Sequence, residues 1–281
     1  MLLDNLLTSV IYLIACLGLF ALGHVVFRLC RVGYNFHHEL VEEDNAALAL
    51  VVSGYYLGLI FSIGGVIVGP SAGLLEDLAD LVVYGLLGIV LLNVSAWIND
   101  RLILSKFKIR KEILDDQNSG TGVVEFAVFV ASGLNIFGAV YGTGGNVFTT
   151  LVFWAVGQCV LVGIGHYYNL ITHYDIHEHI EKDNVAVGVG FAGALIAIGN
   201  LLRAASAEDF VSWSSNLQTF FFIVFIGLLL LPAARVVTDR VLLPGRSLAD
   251  ELVNQEKPNM GAAYLEAVSY IGSSFLIVWC L

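Results

Sequence analysis

The sequence is short of charge. Only 13% of its 281 residues are Asp, Glu, Lys or Arg, against about 25% in a soluble domain. Hydrophobic residues make up 58%, and the mean hydropathy is +0.82. So few charged groups cannot clothe a water-facing surface, which excludes an ordinary soluble domain. Positive charge is scarcer still: 13 Lys and Arg stand against 24 Asp and Glu, for a net charge of −11. That balance excludes nucleic acid as a partner, since binding it takes a basic patch. Cysteine is sparse and unpaired in spacing. Cys16, Cys30, Cys159 and Cys280 form no CxxC step and no zinc pattern, and read as small apolar fillers. The start has no basic region ahead of its first apolar run, and that run is long enough to span a bilayer. A retained first helix is expected rather than a cleaved signal.

What the chain has instead is long apolar runs. A bilayer core asks for about 20 apolar residues per helix, and eight runs qualify: 6–27, 46–68, 78–98, 122–141, 147–171, 185–202, 217–237 and 261–281. They are too long and continuous for the alternating strands of a membrane barrel. The expected class is all-α integral membrane, with eight transmembrane helices and the lipid bilayer as the surrounding partner. Lys and Arg set the orientation, because cytoplasmic loops are enriched in them. Arg28 and Arg31 follow the first run. Arg101, Lys106, Lys108, Arg110 and Lys111 follow the third, Lys182 the fifth, and Arg235, Arg240, Arg246 and Lys257 the seventh. Arg203 alone lies on the other side. The odd-numbered connections are therefore expected in the cytoplasm, with both termini periplasmic. Tyr141, Trp154, Trp213 and Trp279 fall near the outer boundary, and Trp97, Tyr167 and Tyr168 near the inner one, as interfacial aromatic belts do.

The chain also repeats itself. Asp44-Asn45 matches Asp183-Asn184 at a shift of 139 residues, and Gly54 and Gly58 match Gly193 and Ala197 at the same shift. Asp100-Arg101 matches Asp239-Arg240, again at 139. With small insertions, Gly23-His24 matches Gly165-His166, Tyr34-Asn35-Phe36-His37 matches Tyr174-Asp175-Ile176-His177, and Glu125 matches Glu266. The glycine-rich turn 141–146 separates two units, 1–143 and 144–281. Each holds four helices, an even number. The copies should therefore insert in the same direction, related by a pseudo-two-fold along the membrane normal.

An acidic approach runs into an Asn-Ala/Val helix start, an Asp-Arg pair closes the next helix, and a basic loop leads to a Glu-bearing fourth helix. This pattern resembles the bacterial inner-membrane family catalogued as domain of unknown function 350, the YjfL-like proteins, here in tandem. The resemblance covers essentially the whole chain. It implies an inner-membrane location and, for some relatives, gene neighbourhoods shared with phage-shock-type envelope-stress proteins. It lends no catalytic residues.

Several residues bear on function. Asp44, Asn45, Asp183 and Asn184 open the second and sixth runs. Both residue types are favoured helix caps, because their oxygens accept the free amide hydrogens of the first turn; the alternative is a polar vestibule. Gly54, Gly58, Gly193 and Ala197 form small-xxx-small steps that let helices approach closely in lipid, which puts the second and sixth helices at the centre, against each other. Glu125 and Glu266 are the sharpest candidates, since an intramembrane carboxylate is costly and usually faces a cavity or a partner. His24, His166, Asp100, Arg101, Asp239 and Arg240 fall at the same depth. With the glutamates they form either a salt-bridge network holding the bundle in register or a proton or cation relay. His173, His177 and His179 cluster in one inner loop. Only the first two share a helical face, so a solvated loop is expected there, and neither metal nor cofactor. Gly188-Val189-Gly190-Phe191-Ala192-Gly193 fits a dinucleotide fingerprint but lies inside an apolar run, which fails the context test. Asn93-Val94-Ser95 fails as a glycosylation site for the same reason.

No nucleophilic constellation appears, so no enzyme is expected. Two functions remain. One is a membrane scaffold or signalling component, which would recruit a cytoplasmic protein through loops 106–117 and 246–259 and could self-associate. The other is a proton- or cation-coupled channel or transporter using the Glu and His pairs.

Overall fold

The computed structural model describes residues 2–242 and 245–281. Among these residues there are helices and no strands. Eight helices are long and apolar enough to cross a membrane. They are α1 (Leu2–Cys30), α2 (Ala46–Ile67), α3 (Leu74–Leu102), α4 (Ser119–Val140), α5 (Val147–Thr172), α7 (Val185–Ser206), α8 (Trp213–Val237) and α10 (Met260–Cys280). Two short helices, α6 (Ile176–Glu181) and α9 (Leu248–Val253), lie in connections. The eight-span, all-helical reading therefore stands. The boundaries shift by three or four residues at most: α1, α3, α4 and α8 start that much earlier than the apolar runs, and α1, α3 and α7 end that much later. A helix continues beyond the apolar residues as long as its backbone hydrogen bonds are satisfied.

Each even-numbered span begins at an asparagine. The side chains of Asn45, Asn118, Asn184 and Asn259 accept from the amides of Leu48, Thr121, Val187 and Ala262, three residues on. These bonds satisfy one orphan donor each. A short π-helical turn or helix precedes each start: His38–Glu42, Lys111–Asp115, α6 and α9. The chain is thus four helical hairpins in series, a finer repeat than the duplication of four spans. Asp44 and Asp183 do not cap their own helices. They sit one residue earlier with φ of 52° and 55°, as Gln117 does at 48°, a left-handed conformation that Asp tolerates better than most residues. Asp183 instead accepts the amide of Gly120, 3.0 Å away, at the start of α4.

Packing follows the small residues. α2 lies against α4, α4 against α7, and α7 against α10, so the four asparagine-capped helices form a parallel row. The expected α2–α7 pairing is not one of its seams, because α4 stands between them. Gly54 and Gly58 face Phe126 and Phe129 of α4, and Gly193 faces Ala267 of α10, while Ala197 is fully buried. α4 has two small faces, which lets it stand between α2 and α7. Gly122 meets Ala47 of α2 on one side, and Gly120 and Ala131 meet Gly188 and Gly199 of α7 on the other. The remaining spans flank the row. α3 is tied to α5 by Gln158 Nε2 donating to Asn99 Oδ1 (2.5 Å) and by Trp154 Nε1 donating to Ser95 Oγ (2.9 Å).

Asn118 shows how much a cap carries here. It is 1% exposed. Its Nδ2 donates to Glu112 Oε2 at 2.9 Å and to the Ile180 carbonyl at 2.8 Å. Burial pushes the Glu112 carboxyl above its ordinary range. Asn118→Ala should cost about 1 kcal/mol for the cap and a further ~1–3 kcal/mol for each buried partner left unpaired. Unfolding in detergent by denaturant titration would measure it.

Candidate functional site

Two buried carboxylates lie two turns into α4 and α10, at the end of the molecule that carries the basic loops. Glu125 and Glu266 are both 0% exposed. A charge so placed must find partners, because desolvation alone costs several kcal/mol.

Glu266 finds three, all on Oε1. Arg235 Nη1 lies 2.5 Å away, and the hydroxyls of Tyr168 and Tyr270 donate at 3.0 and 2.9 Å. Arg235 also stacks over the Tyr174 ring, 5.9 Å from its centroid. Oε2 has no hydrogen-bond partner and points at Gly190 of α7, where any Cβ would collide with it. An open cleft of about 600 Å³, lined in part by Thr172, His173, Pro232 and Asp239, reaches Arg235 from the basic-loop end.

Glu125 is held differently. Arg31 Nη1 donates to Asp100 Oδ2 at 3.1 Å, while its Nη2 stands 3.6 Å from Glu125 Oε2. Neither Glu125 oxygen has a hydrogen-bond donor. Phe27 and Phe129 line the site, and the guanidinium lies 5.8 Å from each ring centroid. These rings occupy the places of Tyr168 and Tyr270, at the same shift of 141 that relates Glu125 to Glu266. The arginine has also changed helix. Arg31 follows α1, whereas Arg235 ends α8 at a position that is Ala96 in the first half. The equivalent acid is therefore approached by an arginine from two different directions. In the first half one guanidinium serves two carboxylates.

The paired architecture matches a known family. The family model described as Domain of Unknown Function (DUF350) fits residues 1–140 and again residues 143–281. The chain belongs to the DUF350 family, in tandem. It is similar to a "UPF0719 transmembrane protein" of Aquifex aeolicus (strain VF5), 22% identical over 246 residues, spanning 86% of this chain and 88% of that one. No solved structure matches it.

The other candidate residues of the two DUF350 repeats do not all join the glutamates. Asp100 does, through Arg31. Asp239 instead accepts the Leu248 amide at 2.6 Å and fixes the start of α9. Arg101 turns outward over the Trp97 ring, 4.1 Å from its centroid, and Arg240 is exposed. His24 pairs with Tyr56 Oη at 2.6 Å, and His166 is exposed. Tyr168 occupies the inward side of α5, and His166, two residues earlier, falls on the opposite face of the helix. A His–Glu relay is therefore not assembled. In the loop, His177 is buried with Nε2 2.6 Å from the Ile103 carbonyl, and His179 packs edge-on to Tyr174.

Arg31, Arg235, Tyr168 and Tyr270 were the residues that spacing missed. One signal was available: Arg235, counted above with the connection after the seventh run, falls inside that run (217–237), where an arginine must be paired.

Proposed function

We propose that this DUF350 protein is a non-enzymatic scaffold of the bacterial inner membrane. Its basic-loop end faces the cytoplasm, and both termini are periplasmic. Twelve of its 13 Lys and Arg residues fall at that end, which supports the orientation. The scaffold reading rests on the closure of the row. Its helices meet backbone to backbone, so that a Cβ at Gly199 would lie 2.6 Å from Ala131 Cα and one at Gly122 would lie 2.8 Å from Ala47 Cα. Such seams leave no passage for a solute between α2, α4 and α7. The loops 106–117 and 246–259 supply the surface for a cytoplasmic protein partner.

A second reading is a proton or cation site, and Glu125 favours it. One guanidinium faces two carboxylates there, so one further positive charge is needed for neutrality.

Reconstitution separates the two. Liposomes carrying the wild-type chain and an internal pH dye should show no proton, sodium or potassium flux above empty liposomes, and Glu125→Gln should change nothing. A wild-type flux that Glu125→Gln abolishes would replace the scaffold with the second reading.

A further inference from the structure

The asparagine caps form a ladder that stops one rung short at each end. Asn45 Nδ2 donates to the Ile113 carbonyl at 2.8 Å, Asn118 Nδ2 to that of Ile180 at 2.8 Å, and Asn184 Nδ2 to that of Leu252 at 2.9 Å. Every acceptor occupies the same place in the next hairpin. It follows the residue whose carbonyl takes that hairpin's own cap amide: Glu112, His179 and Glu251. The first hairpin has that residue too, Glu39, and the one after it is Leu40. Within these 281 residues no hairpin follows the fourth cap, Asn259, and none precedes Leu40. Asn259 is exposed and Leu40 half-buried, whereas Asn45, Asn118, Ile113, Ile180 and Leu252 are all buried.

The helix faces tell the same story. The join between the two repeats pairs unlike faces, α4 with α7. Gly188 meets Gly120, and Gly199 meets Ala131. Counting from the caps, the same positions are Ala49 and Ile60 on α2, and Gly261 and Gly272 on α10. Ala49, Ile60 and Gly261 are exposed, and a Cβ at Gly272 meets nothing within 4 Å. A closed two-fold would pair α2 with α10 just as it pairs α7 with α4, yet α2 and α10 form the two ends of the row.

We infer that copies of this chain join head to tail, α10 of one against α2 of the next, with Asn259 Nδ2 donating to the Leu40 carbonyl of the neighbouring copy. The contact repeats the internal α4–α7 join. It is heterologous, so it yields a ring where the rotation closes and an open array in the membrane plane where it does not. Asn259 Nδ2 donates to Glu251 Oε2 at 2.8 Å, as Asn118 Nδ2 does to Glu112, and its second N–H is the one that Asn118 gives to the carbonyl of the next hairpin. The inference is independent of whether the protein conducts ions.

Cysteine crosslinking in native membranes tests it. In a background lacking Cys16, Cys30, Cys159 and Cys280, Ala49→Cys and Gly261→Cys chains carrying different tags are co-expressed and oxidised. The mixed pair should crosslink, and each variant alone should not. A chain bearing both cysteines should give a series of multimers. Adding Gly272→Trp should reduce the mixed crosslink about tenfold through an interface clash, while leaving the melting temperature of the purified chain unchanged. Like-with-like crosslinks of equal strength, no mixed crosslink, or no effect of Gly272→Trp would overturn the inference.

Discussion

Arg235→Ala should destabilise the protein by about 3–5 kcal/mol, the range for stripping one partner from a buried ion pair. Glu266 is sealed from solvent, and Arg235 is the cation 2.5 Å from its Oε1. Two tyrosine hydroxyls remain after the substitution, but they are neutral dipoles and offset only part of a buried charge. The double variant Arg235→Ala with Glu266→Gln should recover much of the loss, because it removes the charge along with its partner. Denaturant unfolding of the four proteins of this cycle in one detergent gives the coupling, expected to be large for contacting groups. Arg31→Ala should behave differently. Arg31 gives its hydrogen bond to Asp100, which is partly exposed, and stands 3.6 Å from Glu125. Its loss should therefore couple to Asp100→Asn as well as to Glu125→Gln.

Gly133→Ala is the second large effect. Gly133 on α4 faces Gly58 on α2. A Cβ there would lie 2.5 Å from Gly58 Cα and 2.7 Å from its carbonyl carbon. Backbone cannot swing aside as a side-chain tip can, so the helices must separate along the whole α2–α4 seam. Overpacking of this kind costs about 1–3 kcal/mol and at times more, and in lipid it also forfeits the close contact that drives helix association. Gly163→Ala is the matched control. It has nothing within 4 Å of its Cβ position, and by helix propensity it should gain up to about 1 kcal/mol. Parallel thermal melts of the two variants in detergent should move in opposite directions.

Part of the site was legible before the fold. Glu125 and Glu266 stood out because a carboxylate within an apolar run needs a partner whatever the topology. Asp44 and Asp183 were conspicuous for the wrong reason. Their neighbours Asn45 and Asn184 do the capping, and the equivalent Asn118 and Asn259 escaped notice because Gln117 and Pro258 precede them. The histidines shared the depth of the glutamates but not their direction, since depth follows from position along a helix and direction from its rotation.

The sequence by itself determined the number of spans, their parallel duplication and the depth of the buried acids. Each of these follows from local hydrophobicity and from counting, and lipid enforces them residue by residue. Only the tertiary structure decided that α4 stands between α2 and α7, and that Arg31 and Arg235 meet the two glutamates from different helices. It also decided that the asparagine ladder ends with Asn259 exposed. Those outcomes depend on which face each helix turns to its neighbours. That rotation is set by fitting several small-residue stripes together at once, which no single stretch of sequence contains.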